Sequence, residues 1–253
     1  MSVPPASKAA SSAALSAVSA LHALFIKELR EYFATPIAFV LLAVFWALTG
    51  WFFSFGLFFV NVAQMVGSFH NMSLLLLLVM PLLTMRVFAE ENKNGTMELL
   101  LSLPLAEWQI VLAKFGAALV MLLIMLAGTC TAVLPLVLYA QPDLGPILGG
   151  YVGITLLGAA FMGVGMLVSS LTSNQIVAAL LTWGLLTLLW FADYASSLDA
   201  IPGLRGLFLH LSFSVHYVDV IRGVINLGTV VYFSSVVVVA LGLTTLGLKA
   251  RRT

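Results

Sequence analysis

Long apolar runs constrain this chain more than any other feature of its sequence. Hydrophobic residues make up 62% of the 253 positions, and charged residues make up only 8%. A soluble globular protein has roughly 25% charged residues, so this chain lacks the polar groups that would cover a domain of its size in water. We therefore expect an all-α polytopic membrane protein, because a helix satisfies its backbone hydrogen bonds internally within lipid.

The apolar runs predict six membrane-spanning helices. A helix rises 1.5 Å per residue and must cross a hydrocarbon core of about 30 Å. The predicted spans are residues 36–60, 72–88, 109–139, 147–171, 175–194 and 227–248. Residues 1–20 are rich in Ser and Ala, and we expect them to form a flexible cytoplasmic tail. Residues 249–253 are predicted to form a short basic cytoplasmic tail.

The positive charges indicate how this topology is oriented. An even number of spans places both ends of the chain on one side, which then carries nine of the eleven Lys and Arg residues. Arg205 and Arg222 are the two on the other side. The positive-inside rule assigns the richer side to the cytoplasm, and we expect a bacterial inner membrane.

Residues 21–35 have the pattern of an amphipathic helix. The stretch is too short and too charged to span, so we expect it to lie along the membrane interface until Thr35-Pro36 turns the chain inward. Its apolar residues, Leu21, Leu24, Phe25, Leu29, Tyr32 and Phe33, keep to roughly one face. Its charged residues are predicted to occupy the other face: Lys27, Glu28, Arg30 and Glu31.

Residues 88–114 form the only long polar interruption in the first half of the chain. Asn94-Gly95 is a turn signal, and Thr96 is positioned to cap a helix over residues 96–103 before the break at Pro104. That helix is mostly apolar, so two interpretations are open. It either docks on the membrane or in a groove of a partner, or it is an ordinary cytoplasmic loop with an amphipathic stretch.

Residues 196–226 form a long outer segment of mixed character. The stretches 208–213 and 215–225 are apolar but too short to span, so we predict re-entrant helices packed on the bundle as an outer lid. Polar and turn-forming residues interrupt them, including His216, Asp219, Arg222 and Gly223. His210, His216 and Asp219 match no established metal spacing, so interfacial hydrogen bonding is the favoured interpretation.

The sequence offers no enzyme chemistry of its own. The phosphate-binding pattern G-x-x-x-x-G-K-[ST] is absent, and the nearest approach, GLTTLGLK at 242–249, lies in an apolar run. No nucleophile–base arrangement or metal-ligand pattern is convincing, and a net charge of +1 gives no support for nucleic-acid binding. Cys130 is the single cysteine, so an intrachain disulfide is impossible.

Three stretches resemble the permeases of ABC-2 type transporters. In that family a GT-x-E-L-L-L-x-x-P run, followed by I-x-x-x-K, comes after an acidic E-x-x-x-G turn. The matching residues here are Glu91, Gly95, Thr96, Glu98, Leu99, Leu100, Leu101, Pro104, Ile110 and Lys114. FIKELREYFATPIAF resembles the elbow helix of the family, and FSVHYVDVIRGVINLGTVVYF resembles its gliding-motility-associated branch. The stretch at 226–229 departs from that branch. The resemblance covers residues 21–248.

The resemblance implies a permease domain over residues 21–248 that pairs as a homodimer or heterodimer. Two soluble ATPase subunits would bind ATP and Mg²⁺, and this chain would hold no cofactor. A coupling helix at 96–103 would sit in a groove of the ATPase, and an auxiliary subunit with a large outer domain could complete the complex. The implied coupling residues are Glu90, Glu91, Gly95, Thr96, Met97, Glu98, Leu99, Leu100, Leu101 and Pro104. For the three glutamates, a plain solvated-charge role stays equally open.

Two other classes of function compete with an ATP-driven exporter. A secondary transporter or channel would need charged residues at mid-membrane depth for ion coupling, and the predicted spans contain almost none. A membrane scaffold that uses the ATPase to act on an extracytoplasmic partner, without moving a soluble substrate, remains an alternative.

Overall fold

The computed structural model describes residues 5–59, 65–102, 105–140, 144–197, 205–221, 223 and 226–252. These residues form α-helices and no β-strand. The helices are α1 (Pro5–Ala34), α2 (Pro36–Phe59), α3 (Val66–Thr84), α4 (Ala89–Asn94), α5 (Met97–Leu101), α6 (Glu107–Ala140), α7 (Leu144–Leu171), α8 (Gln175–Trp190), α9 (Ala192–Ser197), α10 (Arg205–Leu211), α11 (Phe213–Ile221) and α12 (Leu227–Arg252).

Five helical stretches among the described residues are long and apolar enough to cross a membrane. They are Pro36–Phe58, Val66–Asn94, Glu107–Leu136, Leu144–Leu171 and Leu227–Arg251. The prediction of an all-α multi-pass membrane protein is therefore confirmed. The predicted span at 175–194 corresponds to α8, which is apolar but has only 16 residues, fewer than the roughly 20 of a typical spanning helix.

The helix α7 lies at the centre of the bundle and packs against α3, α6, α8, α11 and α12. Glycine makes this central position possible. A Cβ atom at Gly150 would collide with the ring of Phe69 on α3, and one at Gly149 would lie 3.1 Å from the Cα atom of Gly223. Small residues let helix backbones approach closely in membranes, so the glycine-rich run lets α7 pack closely among these neighbours.

The first helix is longer than the sequence predicted. Residues 5–20, which we expected to lie in a flexible tail, are helical and continuous with the amphipathic stretch in α1. Their Ala-rich composition accounts for this, because Ala has the highest intrinsic helix propensity. The helix ends at Ala34, and α2 begins at Pro36 as predicted from the Thr35-Pro36 pair.

Candidate functional site: a polar junction around α4

The residues between α3 and α6 form two short helices joined by a left-handed glycine. Gly95 has a φ of 70° and ends α4, where its N–H donates to the carbonyl oxygen of Glu91. No atom lies within 4 Å of a Cβ built there, so backbone conformation rather than space favours glycine. The predicted turn at Asn94-Gly95 is therefore present.

The predicted helix over 96–103 differs from the observed one in two respects. The helix α5 is shorter, Met97–Leu101, and the Thr96 side chain does not cap it. Thr96 has a φ of −80° and a ψ of −6°, and its N–H donates to the carbonyl oxygen of Glu91 at 3.1 Å. Thr96 therefore continues the turn after Gly95, and the capping prediction is wrong. Pro104 lies outside the described residues.

The apolar residues of α5 are divided between the interior and the surface. Met97 and Leu100 are buried in a cluster that also contains Leu24 of α1, Ile110 of α6 and Leu248 of α12. Leu101 is half-buried, whereas Glu98 is exposed and Leu99 is 69% exposed. Part of the apolar surface of α5 is thus buried within the chain, and Leu99 is the residue that stays available to a partner or to lipid. Met97 and Leu100 anchor α5 to its own chain, and Leu99 projects outward.

A buried ammonium joins three helices beneath this loop. The Nζ atom of Lys114, on α6, donates to Glu28 Oε1 of α1 at 2.8 Å and to Glu91 Oε1 of α4 at 2.9 Å. The side chain of Lys114 is 2% exposed, and those of Glu28 and Glu91 are 7% and 14% exposed. The same Nζ atom lies 5.4 Å from the ring centroid of Phe88, where a cation–π attraction adds to the ion pairs. We call Glu28, Lys114 and Glu91 the Lys114 bridge.

The position of Glu28 corrects the predicted polar face of the first helix. Glu28 is buried, whereas Lys27, Arg30 and Glu31 are exposed. Glu28 falls one turn from both Leu24 and Tyr32, so it shares the inward face of α1 with them. A buried carboxylate is costly unless it is paired, and Lys114 supplies the partner. The amphipathic pattern alone could not show this, because it grouped all charged residues on the outside.

The charges around this bridge form three further ion pairs, of which Lys27 Nζ to Glu28 Oε1, at 3.6 Å, is the longest. Lys27 Nζ lies 3.1 Å from Glu31 Oε1 on α1, and Arg86 Nε lies 3.1 Å from Glu90 Oε2. Burial alone would lower the pKa of Lys27, but its hydrogen bond to Glu31 and the nearby Glu28 raise it overall. Arg86 also donates to Thr35 Oγ1 at 3.1 Å, which ties the end of α3 to the corner between α1 and α2.

Tyr32 faces the same region with an unsatisfied hydroxyl. Its oxygen is buried and has no hydrogen-bond partner among the described residues. Burial raises the pKa of the Tyr32 phenol well above its usual value, so it stays a neutral donor. The Oε2 atom of Glu91 is likewise buried and without a partner in the part of the chain that the structure describes.

A second set of contacts ties α4 to the end of the chain. Asn92 Nδ2 donates to the carbonyl oxygen of Thr172 at 3.0 Å, and Arg251 Nη1 of α12 donates to Asn92 Oδ1 at 2.7 Å. Arg251 Nη2 also donates to the carbonyl oxygen of Ser170 at 2.8 Å. We call these four residues the Asn92 link.

The start of α4 is held by α7 through one hydroxyl. Ser169 Oγ accepts hydrogen bonds from the backbone N–H groups of Phe88 and Ala89, each at 3.1 Å, and donates to the carbonyl oxygen of Met85. The orphan amides at a helix start thereby find a partner from another helix. Together, the Lys114 bridge, the Asn92 link and Ser169 connect α4 to α1, α6, α7 and α12.

A cavity of about 680 Å³ opens beside this junction. One part is lined by apolar residues of α2 and α3, including Ala38, Leu41 and Leu83. The other part is lined by charged residues of α1 and α4, of the turn before α4, and by Lys114. The cavity is therefore apolar beside α2 and α3, whereas the charged groups lie beside α1 and α4, next to the apolar residues Leu24, Val87, Leu99 and Leu100.

The outer residues singled out from the sequence lie away from the junction. His216 stacks on Tyr232 with ring centroids 3.8 Å apart and its Nδ1 atom lies 2.9 Å from the carbonyl oxygen of Ser212. Asp219 is exposed. Gly223 has a φ of 87° and lies against Pro146. Arg222 falls outside the described residues. Among the described residues, no three His, Cys, Asp or Glu side chains cluster as a metal site would require.

Several residues of this junction were missed in the sequence because their partners are distant. In the sequence Lys114 stands out only as part of a family motif, and its partner Glu28 lies 86 positions away. Asn92, Ser169 and Arg251 gave no signal beyond their polarity, although each is one of the few polar groups beside an apolar run. Polar residues at the ends of spans are therefore the signal that could have pointed to them.

Comparison with known proteins identifies the family of the chain. A family model described as ABC-2 family transporter protein matches residues 6–250. Curated proteins give no significant match. The match runs from α1 to α12 and so includes the whole junction around α4. Members of this family are membrane transport components rather than catalysts. The chain is a multi-pass membrane protein that belongs to the ABC-2 transporter family.

Proposed function

We propose that this chain is the permease subunit of an ATP-driven exporter, energised by a separate ATPase that binds ATP and Mg²⁺. Two permease chains would pair to form one translocation path. The ATPase would dock on α4 and α5 and the chain would hold no nucleotide. The family match supports the permease role, and the geometry of the α4 junction supports the site at which the work is received.

The observation that carries the proposal is the anchoring of α4 to four helices. The Lys114 bridge joins α4 to α1 and α6, and the Asn92 link joins it to α7, through Ser170, and to α12. Packed cores and interfaces are bistable rather than continuously deformable, so a push on α4 and α5 would move these helices together. A loop held in this way is suited to transmit the closure of an ATPase pair to the bundle.

The surface of α5 supports its role as the coupling helix. Leu99 and Glu98 face outward, while Met97 and Leu100 hold the helix in place. An exposed leucine on a short helix can enter an apolar groove of a partner, and a neighbouring carboxylate can pair with a basic residue at its rim. Glu90 and Glu91 have partners within the chain, so we assign them to fixing the loop and assign Glu98 to contacting the ATPase.

The same contacts support six spans with both ends of the chain in the cytoplasm. The α1 end meets α4 through the Lys114 bridge, and the α12 end meets α4 through Arg251. Two ends that reach the same loop lie on one side of the membrane, which requires an even number of crossings. We therefore propose that α8, continued by α9, makes the sixth crossing. The distribution of Lys and Arg favours the inner membrane and this orientation.

The helices α10 and α11 would then form the outer, re-entrant part of the protein. The helix α11 packs against α7, and Tyr217 donates to the carbonyl oxygen of Phe69 at 2.9 Å. His216 and Gly223 fix the two ends of α11 against α12 and α7. Membership of the gliding-motility-associated branch, with an auxiliary outer subunit, stays a prediction.

The proposal can be tested with the exposed leucine of α5. The tagged chain would be purified from its native membranes, and Mg²⁺-dependent ATP hydrolysis would be measured in the copurified material after reconstitution into vesicles. We expect hydrolysis with the wild type and at least a fivefold loss of copurified hydrolysis in Leu99→Asp. Leu227→Ala is the control, because Leu227 is similarly exposed, at 76%, at the far end of α12. Absence of copurifying hydrolysis, or equal loss in both variants, would contradict the proposal.

A further inference from the structure

The cavity beside the α4 junction has the dimensions of a binding site. Its volume of about 680 Å³ falls within the roughly 300–1,000 Å³ typical of small-molecule sites. It opens at the corner where α1 meets α2, next to the ends of α3 and α4. The class of ligand follows from the different chemistry of the two ends of the cavity. This inference does not depend on the presence of an ATPase.

The apolar end of the cavity is formed by helices that are long and apolar enough to span a membrane. Its walls come from α2 and α3, and both belong to candidate membrane spans. Ile37 is 45% exposed and Leu82 is 37% exposed, so this end is open on the outside of the bundle. A hydrocarbon chain that leaves the bilayer can therefore enter the cavity sideways, along α2 and α3.

The charged end carries an ion pair on each of two neighbouring elements. Lys27 and Glu31 belong to α1, whereas Arg86 and Glu90 lie at the end of α3 and the start of α4. All four side chains are at least 27% exposed, so a ligand can reach them. With the buried Lys114 bridge included, the lining has three cationic groups and four carboxylates. Such a lining is complementary to a ligand with both charges and unfavourable to a simple anion.

We propose that this cavity binds phosphatidylethanolamine, with its headgroup between the two ion pairs and an acyl chain along α2 and α3. The phosphate accepts hydrogen bonds from Arg86 and Lys27, and the primary ammonium donates to Glu31 and Glu90. Charge-assisted hydrogen bonds of this kind are stronger than hydrogen bonds between neutral groups. A choline headgroup has no N–H to donate, so the carboxylates distinguish ethanolamine from choline.

Two unsatisfied atoms behind the cavity wall support this assignment. The Tyr32 hydroxyl and Glu91 Oε2 are buried without a partner among the described residues, and both residues line the cavity. Unsatisfied buried polar atoms are rare and call for an explanation. A zwitterionic headgroup carries a matching group for each, because a phosphate can accept from Tyr32 and an ammonium can donate to Glu91.

Native mass spectrometry of the delipidated full chain in detergent tests the proposal. Phosphatidylethanolamine, phosphatidylcholine and phosphatidylglycerol would be titrated separately. We expect saturable binding of one phosphatidylethanolamine per chain, at least fivefold tighter than binding of the other two lipids. Equal binding of all three lipids, or binding that does not saturate, would overturn the proposal.

A matched pair of variants locates the site. Ala34 is exposed and lines the cavity, whereas Ala23 is exposed on the same helix and does not line it. Ala34→Trp should weaken binding at least tenfold, and Ala23→Trp should leave it unchanged. Glu31→Gln, which removes a carboxylate charge from the ammonium site without filling space, should reduce the preference over phosphatidylcholine at least threefold. Unaltered binding in Ala34→Trp, with a helical circular dichroism spectrum like the wild type, would refute the assigned site.

A headgroup without chains separates a lipid ligand from a soluble one. Glycerophosphoethanolamine carries the same charges but no acyl chain. We expect it to compete at least a hundredfold more weakly than the lipid, because the apolar end of the cavity stays empty. Competition at the same concentration as the lipid would show a soluble headgroup ligand and overturn the proposal of a membrane lipid.

Discussion

Lys114 on α6 donates a 2.8 Å hydrogen bond to Glu28 on α1, across 86 positions of sequence and away from solvent. The same ammonium reaches Glu91 of α4. Desolvating three ionised groups is costly, and the cost is offset only when their geometry is good. Short contacts from one ammonium to two carboxylates meet that condition, so these residues fix how α1, the loop and α6 meet.

Removal of the Lys114 ammonium should destabilise the protein strongly. Lys114→Met leaves two buried carboxylates near each other, and breaking a buried pair in this way costs about 3–5 kcal/mol. The free energy of unfolding in detergent would be compared with that of Lys93→Met, because Lys93 is exposed on α4. A similar, small change in both variants would mean that the Lys114 bridge contributes nothing to stability.

A proline at the last turn of α5 should separate ATP hydrolysis from its effect on the permease. The N–H of Leu100 donates to the carbonyl oxygen of Thr96 at 3.0 Å, and Leu100→Pro removes that hydrogen bond and a buried anchor. We expect ATPase binding within threefold of the wild type but loss of the complex's function. Glu98→Lys reverses the charge that we assign to contacting the ATPase, so it should lower the function of the complex together with ATPase binding. Full function in both variants would contradict α5 as the coupling helix.

The tie between α12 and the loop should control the local stability of α4. Arg251→Ala removes hydrogen bonds to Asn92 and to the carbonyl oxygen of Ser170, each worth about 1.5–3 kcal/mol as a bond to a charged group. Amide hydrogen exchange in α4 should therefore accelerate at least tenfold. Lys249→Ala, which changes an exposed cation on the same helix, serves as the control. If the amides of α4 exchange equally slowly in both variants, Arg251 does not stabilise α4.

The glycines of the bundle should respond to a methyl group according to their surroundings. Gly150→Ala places a Cβ atom against the ring of Phe69, which is fully buried, and overpacking of this kind costs about 1–3 kcal/mol. Gly184 on α8 has no atom within 4 Å of its Cβ position, so Gly184→Ala should gain about 0.5–1 kcal/mol. Thermal unfolding of both variants in the same detergent measures the difference in stability. Gly184→Ala should be more stable than Gly150→Ala, and the opposite order would contradict this prediction.

Cysteine labelling decides whether α8 crosses the membrane. In a Cys130→Ser background, Lys93→Cys and Val215→Cys would be treated with a membrane-impermeant maleimide in intact spheroplasts and after permeabilisation. Both positions are exposed in the structure. Three crossings between them place the two cysteines on opposite sides, so we expect only Val215→Cys to react in intact spheroplasts. Labelling of both or neither would mean that α8 does not cross.

Hydropathy predicted the fold class because lipid permits few alternatives. Apolar runs such as 147–171 and 227–248 could only be helices that cross or lie within the bilayer, and α7 and α12 cover them. Hydropathy predicted the extent of the helices less well where the chain is neither strongly apolar nor strongly polar. Residues 5–20 turned out helical, and the run at 175–194 forms a shorter helix than expected.

The sequence by itself determined the helical, membrane-embedded character of this chain, because 62% hydrophobic residues in long runs leave no soluble fold. It also marked the loop at 88–114 and its family. Only the tertiary structure decided what the charges of that loop do. A lysine and two glutamates can be buried together only where three helices bring them within 3 Å, and no local pattern records which distant helices will meet.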